Sequence, residues 1–158
     1  MSESADGPTG PAPSPDITSV PQGGWGEHMG LRLVSVAEHE VVAELRVSAM
    51  HYQPMGVVHG GVYCSIVETV CSVGGMMQVG KHGLLVVGVD NQTSFLKATR
   101  TGTLRATARP LAVGRRTQLW EANIHDEAGV LVATGRVRLI AVEPGSRLGG
   151  QSAGLVTP

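Results

Sequence analysis

The chain has 158 residues, of which 42% are hydrophobic and 16% are charged, a composition typical of one globular domain with short tails. The formal net charge is -1, so the overall charge favours neither nucleic acid nor an anionic membrane as a partner. The N-terminus lacks the basic and apolar regions of a secretory signal, and no unbroken run of about 18 apolar residues occurs. These features predict a cytoplasmic protein without a membrane span.

Both ends of the sequence differ in composition from its centre. Residues 1–23 are rich in Pro, Gly, Ser and Asp, which predicts a disordered N-terminal tail. Residues 144–158 have a similar composition and predict a flexible C-terminal tail. A single domain over residues 24–143 remains, and it contains no internal repeat.

The centre of the chain contains strand and helix patterns in a simple order. Residues 23–30 predict a turn or short helix. Hydrophobic runs then predict a hairpin, a helix that begins near His59, and four further strands. The strands are predicted at 31–38, 41–49, 84–98, 102–113, 116–126 and 130–143. Short turn-like connections favour antiparallel neighbours, so we predict an α+β fold in which an antiparallel sheet wraps one apolar helix.

One carboxylate, Glu68, interrupts the apolar helix. Ser65, Glu68 and Ser72 fall on one helix face at three- and four-residue spacing. A carboxylate in apolar surroundings needs partners, and Ser72 is one turn away. This polar row predicts either a functional site or a seam between subunits. The simpler alternative is that Glu68 pairs locally or with an arginine of a neighbouring subunit.

Gly60 and Gly61 stand at the predicted helix start although glycine is a poor helix former. Their free N–H groups could bind a negatively charged oxygen, whereas the plain alternative is a tight turn. Gly60 and Glu68 lie about 12 Å apart along a helix axis. If both act on one carbonyl group, they must belong to different copies of the chain, which predicts an oligomer with shared sites.

Cys64 and Cys71 are seven residues apart, or about 10 Å along a helix, too far for a disulfide within one chain. We interpret them as buried thiols. No metal-ligand spacing appears among the six histidines, so no metal site is predicted. These are His28, His39, His51, His59, His82 and His125.

The run HGGVYCSIVETVCS (59–72) resembles the helix motif of hotdog-fold acyl-CoA thioesterases. The likeness is greatest to the PaaI-like branch and the Arthrobacter-type 4-hydroxybenzoyl-CoA thioesterases. It extends over about residues 25–142, including GVDNQTSFLK (88–97) and the DEAG turn (126–129). It implies a hotdog fold and hydrolysis of an acyl-CoA thioester, with coenzyme A as part of the substrate and no separate cofactor.

The resemblance also implies residue roles. Glu68 matches the catalytic carboxylate, acting as nucleophile or general base, and the Gly60 N–H matches the group that polarises the thioester carbonyl. Gln53 matches a residue that positions substrate or water, Ser72 one that orients the carboxylate or water, and His59 one that supports the loop. The family builds its sites across a dimer interface, so we expect at least a homodimer and favour a homotetramer.

Binding residues follow from the same comparison. The turn containing Arg115 and Arg116 matches one that contacts the nucleotide, and two arginines suit phosphate. A solvated basic turn is the alternative; Arg100 and Lys97 are weaker phosphate candidates. Gly61 belongs with the substrate-binding backbone. Asn91 and Thr93 could line the acyl pocket, and regular strand alternation places them on one face.

Two other functions stay open. The first is a non-catalytic hotdog module that binds acyl-CoA. The second is a hotdog hydratase or dehydratase, which would need a histidine close to Glu68, supplied by His59 of another copy. Aromatic residues are only 3% of the chain, which gives no indication of a stacked pocket for aryl groups.

Overall fold

The structure is a computed structural model that describes residues 23–154. Residues 1–22, nearly all of the predicted N-terminal tail, lie outside this range. A short helix and two strands precede the long central helix, and six strands follow it. The elements are α1 Gly24–His28, β1 Leu31–Ala37, β2 Glu40–Arg46, α2 Gly60–Gly80, β3 Leu85–Phe95, β4 Thr103–Val113, β5 Thr117–His125, β6 Leu131–Val142, β7 Arg147–Leu148 and β8 Gln151–Ser152. The predicted order of two strands, one helix and four strands is confirmed.

The main sheet has six antiparallel strands in the order β1-β2-β4-β5-β6-β3. β1 and β2 form the predicted hairpin, and β4, β5 and β6 follow one another as neighbours. The expectation that β3 and β4 are neighbours is wrong: β3 pairs with β6, and β4 pairs with β2. The short link at 96–102 therefore crosses between separate parts of the sheet, and β3 is left at an edge.

Helix α2 lies inside the curve of this sheet and contacts all six strands. Its 21 residues pass, by length and hydropathy, the test for a membrane-spanning helix, although 56% of its most apolar window is buried within the fold. The core helix of a globular protein passes the same test. We attribute the apolar character of α2 to its burial against the sheet.

Two glycines in the second half of α2 allow the sheet to approach its backbone. A Cβ atom at Gly74 would collide with the Trp120 ring, and one at Gly75 would collide with the Leu139 side chain. Trp120 is fully buried, and its indole N–H donates to the Gln118 side chain at 2.7 Å. Gln118 in turn donates to the Gly75 carbonyl at 3.3 Å. The helix glycines thus create the space for the largest core side chain.

The outer face of the sheet is polar and carries several ion pairs. Cross-strand pairs there join Arg32 and Arg105 to Glu44, Arg109 to Glu40, Arg136 to Glu121 and Arg138 to Asp90. Exposed pairs of this kind contribute about 0–1 kcal/mol each. The core therefore lies on the helix side of the sheet alone.

Regular structure extends past residue 143 into the segment predicted as a flexible tail. Strands β7 and β8 form a two-stranded hairpin. Leu148 and Ser152 of this hairpin line a shallow cavity together with Leu85 and Met76. The hairpin therefore lies beside the beginning of β3 and the second half of α2.

The close approach of Trp120 to Gly74 predicts that Gly74→Ala will destabilise the protein. The added methyl group overpacks the core, which costs about 1–3 kcal/mol of unfolding free energy. Gly80→Ala is the matched control, since a Cβ at Gly80 meets nothing within 4 Å and alanine favours helix. Urea unfolding of both variants checks this, and equal stability of the two would contradict the packing account.

Candidate active site

Glu68 lies midway along α2 and is half-buried at the wall of an open cavity of about 320 Å³. Its Oε2 accepts a hydrogen bond of 2.9 Å from the amide of Asn91 on β3. Within residues 23–154, Oε1 accepts no hydrogen bond and no lysine or arginine pairs with the carboxylate. The alternative of a local ion pair therefore has no support in the described part of the chain.

Asn91 is held in place by two further bonds. Its amide also donates to the Cys64 carbonyl at 3.1 Å, and its Oδ1 accepts from the Thr93 hydroxyl at 2.6 Å. Because Thr93 donates to the amide oxygen, the amide nitrogen faces Glu68. Asn91 and Thr93 lie on the same face of β3, as strand alternation predicts. The two residues do more than line a pocket: Asn91 holds the Glu68 carboxylate, and Thr93 orients Asn91.

Gly88 on β3 is a site residue that the sequence analysis missed. A Cβ atom at this position would collide with Oε1 of Glu68, so any side chain there displaces the carboxylate. The register of β3 against β6 also shifts between Gly88 and Asp90, which marks a bulge beside the site. A glycine inside a strand pattern is the sequence signal that could have identified it.

The start of α2 has the geometry of an anion-binding helix terminus. His59 is the N-cap, and its Nδ1 accepts a hydrogen bond of 2.9 Å from the Gly61 N–H. Gly60 is the first helical residue, and its N–H finds no acceptor among the described residues. A Cβ at Gly60 would lie 2.5 Å from the Phe95 ring. Glycine at this position therefore lets Phe95 cover the backbone while the N–H stays free.

Gln53 and Gly60 line a second cavity, of about 230 Å³. The rings of Tyr63 and Phe95 also line this cavity, with their centroids 5.7 Å apart. The structure thus brings Gln53 next to the helix start, as a positioning role requires.

The two cavities share no lining residue: Glu68 borders one, and Gly60 and Gln53 border the other. This agrees with the argument from helix length that one chain cannot present both groups to one carbonyl. The described chain therefore holds these groups in two separate cavities, and we name their linings the carboxylate half-site and the helix-start half-site after the shared site that the helix-length argument predicts.

Ser72 lies outside the carboxylate half-site. It is half-buried and makes no hydrogen bond with another described residue, whereas Asn91 supplies the bond to Glu68. Thr69, rather than Ser72, lines the cavity, and its hydroxyl donates to the Ser65 carbonyl. Orientation of Glu68 within one chain is thus achieved by β3 and not by the next helical turn.

Ser65 and Trp25 complete the carboxylate half-site. The indole N–H of Trp25 donates to the Ser65 hydroxyl at 2.8 Å, and that hydroxyl donates to the Gly61 carbonyl at 2.8 Å. Trp25 lies on α1 and borders the cavity. Sequence reasoning missed Trp25 for two reasons: α1 has only five residues, and Trp25 lies 40 positions before Ser65 in the chain.

Arg115 and Arg116 are exposed in the β4–β5 turn and border a cavity of about 650 Å³. No acidic partner pairs with either within residues 23–154, although Glu143 borders the same cavity. The two weaker phosphate candidates are already engaged: Lys97 pairs with Asp126, and Arg100 donates to backbone carbonyls of the preceding loop.

The arginine cavity is far from the helix start of the same chain. It adjoins Leu84, just before β3, while the helix-start cavity adjoins Phe95 at the other end of that strand. Ten residues of strand span about 33 Å. One chain thus presents its arginine turn and its helix start at opposite ends of β3.

The two cysteines differ in their surroundings. Cys71 is fully buried, whereas Cys64 is half-buried in the carboxylate half-site. Burial raises the pKa of the Cys71 thiol far above its usual range, and the negative charges of Glu68 and Glu121 add to this effect. Among the described residues, no group of three His, Cys, Asp or Glu side chains could hold a metal ion.

Comparison with known proteins identifies the family of this chain. The family model of the Thioesterase superfamily matches residues 55–133. Rv1847 of Mycobacterium tuberculosis is 37% identical over 138 residues, which cover 86% of this chain and 96% of the relative. A 1,4-dihydroxy-2-naphthoyl-CoA hydrolase of Listeria monocytogenes is 32% identical over 113 residues, 72% of this chain and 91% of the relative.

Solved structures have the same fold. The structure of the Mycobacterium tuberculosis protein has a TM-score of 0.73 at 38% identity, over 75% of this chain and 95% of that one. Thioesterase HI1161 of Haemophilus influenzae has a TM-score of 0.71 at 31% identity, over 75% of this chain and 82% of that one. The chain therefore belongs to the thioesterase superfamily and has the hotdog fold. The family and these relatives together support thioester hydrolysis.

The buried Cys71 thiol predicts a pH effect on stability. In the unfolded chain this thiol ionises near its ordinary pKa of 9.0, but in the folded protein it stays protonated. Because the unfolded state then binds fewer protons, the unfolding free energy falls above pH 9 by about 1.4 kcal/mol per pH unit. Urea unfolding from about pH 8 to about pH 10.5 should show this extra slope in the wild type and its loss in Cys71→Ala.

Val70→Ala is the control for this measurement. Val70 is fully buried on the adjacent position of α2 and carries no titratable group. Its truncation should lower stability equally at every pH. Parallel pH profiles for the wild type and Cys71→Ala would contradict the prediction.

Proposed function

We propose that the protein hydrolyses acyl-CoA thioesters, with Glu68 as the catalytic carboxylate. The observation that carries this proposal is the environment of Glu68. A neutral amide from Asn91 holds one carboxylate oxygen, while the other has no partner among the described residues and borders an open cavity. A structural carboxylate would more commonly meet a cation.

The chemistry requires a base or nucleophile and a group that stabilises negative oxygen. Glu68 either attacks the thioester carbonyl carbon or removes a proton from an attacking water. The carbonyl oxygen, which gains negative charge, accepts a hydrogen bond from the Gly60 N–H at the positive end of the α2 dipole. Collapse of the tetrahedral intermediate then breaks the C–S bond and releases the CoA thiolate. On the general-base route this step yields the free acid directly; on the nucleophilic route it leaves a mixed anhydride on Glu68, which a water molecule hydrolyses to the free acid and the regenerated carboxylate.

The remaining residues have supporting roles in this proposal. Gln53 positions substrate or water beside Gly60, and His59 together with the Gly61 N–H fixes the helix start. Since His59 Nδ1 already accepts the Gly61 N–H, we assign this histidine to the loop and not to proton transfer. Ser72, which has no hydrogen bond to Glu68 in the described chain, would contact water or substrate only in the assembled site.

Two chains supply one complete site in this proposal. Support comes from the separate half-sites and from β3, whose outer edge is unpaired in the six-stranded sheet. Val89, Phe95 and Leu96 on or just after this strand are about half exposed. A long unpaired edge strand with exposed apolar side chains is a surface on which another chain can pair. We propose that β3 pairs with its counterpart in a homodimer, and that two dimers associate as a homotetramer.

Coenzyme A binding is assigned to the turn of Arg115 and Arg116. Both guanidinium groups lack an acidic partner among residues 23–154 and border the largest of the four cavities described above. Arginine pairs well with phosphate oxygens. The similar Listeria monocytogenes protein is named as a 1,4-dihydroxy-2-naphthoyl-CoA hydrolase, and this supports a CoA thioester as the substrate of this chain.

Glu68→Gln tests the proposal directly. The amide keeps the shape of the side chain but can neither attack nor accept a proton, so we expect kcat to fall by about 10²–10⁴-fold. Thiol release from a panel of acyl-CoAs, including 4-hydroxybenzoyl-CoA, benzoyl-CoA and hexanoyl-CoA, measures turnover. Calorimetric titration measures whether the variant still binds the substrate.

Glu40→Gln is the matched control, because Glu40 pairs with Arg109 on the outer face of the sheet. It should keep wild-type turnover. Binding of acyl-CoA without turnover in the wild type would identify a non-catalytic module instead. Formation of a 3-hydroxyacyl product would identify a hydratase.

The shared site predicts complementation between two inactive variants. Gly60→Pro removes the N–H, and proline fits the first helical position, since His59 before it has φ -66° and ψ 137°, a conformation allowed before proline. Mixing this variant with Glu68→Gln, after dissociation and reassociation, creates heterodimers with one intact site. Random pairing of symmetric dimers should restore about a quarter of the wild-type activity.

Gly60→Ala keeps the N–H and serves as the steric control, because both substitutions push against the exposed Phe95 ring. It should retain more activity than Gly60→Pro. If the mixture stays as inactive as its components while sedimentation shows mixed dimers, each site must lie within one chain. Sedimentation of the wild type also distinguishes a dimer from a tetramer.

A further inference from the structure

Trp25 is the exposed tryptophan of the chain, and its orientation is fixed. The residue is 60% exposed, yet its indole N–H donates to Ser65, whose hydroxyl is itself held by the Gly61 carbonyl. Isolated exposed apolar side chains are common and need no special role. A hydrogen bond that ties an exposed indole to the central helix is a different situation, because it holds the ring at one place.

The short helix α1 is adapted to bring Trp25 to that place. Gly23 and Gly24 have φ values of +127° and +64°, which non-glycine residues rarely adopt, and they direct the chain into α1. A Cβ at Gly26 would lie 3.4 Å from the Thr69 side chain, so α1 packs closely on α2. Met29, at the end of α1, is buried in the core. The indole is thus anchored from both sides.

The ring borders the same cavity as Glu68 and Asn91. Its other lining residues are Cys64, Ser65 and Thr69, all of them small. Among residues 23–154, Trp25 is therefore the single large apolar surface of the carboxylate half-site. Within this cavity of one chain, the described residues offer no other broad apolar face to an acyl group whose carbonyl carbon reaches Glu68.

We propose that Trp25, positioned by Ser65, contacts the acyl group and sets the preference of this site for flat acyl groups over flexible ones. This inference rests on the proposed acyl-CoA hydrolysis. A fixed indole face offers offset stacking to a planar ring, which adds to simple apolar burial. A flexible alkyl chain gains only the burial and loses rotamer freedom on binding.

The distribution of aromatic residues supports this specificity. The chain has only two Trp, two Tyr and one Phe. Three of these five, Trp25, Tyr63 and Phe95, line the two half-site cavities. The overall aromatic content, which gives no indication of a stacked pocket, therefore does not reveal this local concentration of rings.

Trp25→Leu tests the proposal through a ratio of activities. We expect kcat/KM for benzoyl-CoA to fall by about three- to tenfold, while kcat/KM for hexanoyl-CoA changes by less than about twofold. Trp25→Phe keeps a ring but loses the N–H, so its ratio of benzoyl-CoA to hexanoyl-CoA activity should lie between the ratios of the wild type and Trp25→Leu. Val130→Ala, which truncates another exposed apolar residue that lines neither half-site cavity, should leave both activities and their ratio unchanged.

Ser65→Ala tests the positioning role. It keeps the tryptophan but removes the acceptor of its N–H, so the benzoyl to hexanoyl ratio should fall although the aromatic ring is present. Steady-state anisotropy of the tryptophan emission should fall in the same variant, because the exposed indole gains mobility. An unchanged ratio in Ser65→Ala would show that the hydrogen bond does not position the ring.

Fluorescence provides a readout that does not depend on turnover. Trp120 is fully buried, so a change of emission on titrating benzoyl-CoA into the Glu68→Gln protein should come from Trp25 and disappear in Glu68→Gln with Trp25→Phe. If the wild type hydrolyses no acyl-CoA, the proposed function fails, and this titration still decides whether Trp25 contacts an acyl-CoA.

Three results would overturn the inference. The first is an equal benzoyl to hexanoyl ratio in the wild type and Trp25→Leu. The second is unchanged tryptophan emission when calorimetry shows saturation with benzoyl-CoA. The third is dissociation of the oligomer in Trp25→Leu, which would place the ring in a subunit contact instead.

Discussion

The hydrogen bond from Asn91 to Glu68 joins the central helix to the edge strand, and the candidate site depends on it. A carboxylate in the middle of an apolar helix is costly unless it has partners, and here the partner is a neutral amide. The bond therefore satisfies one oxygen without neutralising the charge. Thr93 orients the amide, so the position of Glu68 is determined by β3 as much as by its own helix.

Glycine allows this arrangement at three places where backbone and side chains approach closely. Gly88 leaves space for the carboxylate, Gly60 leaves space for Phe95 over the helix start, and Gly74 leaves space for the Trp120 ring. Each glycine weakens the local helix or strand. In return, the sheet can wrap α2 tightly enough to bury its apolar faces while the two half-sites stay open.

Much of the fold follows from the sequence because its signals are local. Alternating hydrophobicity and short turns locate the six strands of the main sheet, and the apolar run after His59 locates α2. The neighbour of β3 could not be found this way, since pairing with β6 depends on how the sheet closes around the helix.

The residues of the candidate site are likewise only partly predictable from the sequence. Glu68 and Gly60 can be identified because they contradict their local sequence pattern. The contacts of Asn91, Gly88 and Trp25 are set by tertiary packing, and no spacing rule connects positions so far apart.

The chemically different groups of the candidate site are divided between the two half-sites. The carboxylate half-site contains the Glu68 carboxylate, the amide that holds it and a hydrogen-bonded indole. The helix-start half-site contains a free N–H, Gln53 and two packed rings. In the proposed mechanism, neither half alone both activates a nucleophile and stabilises an oxyanion, so an isolated chain would have no complete site for thioester hydrolysis. If the β3 edges pair as proposed, the pairing would cover the exposed apolar side chains of this strand and complete the sites in the same step, so assembly and activity would be coupled.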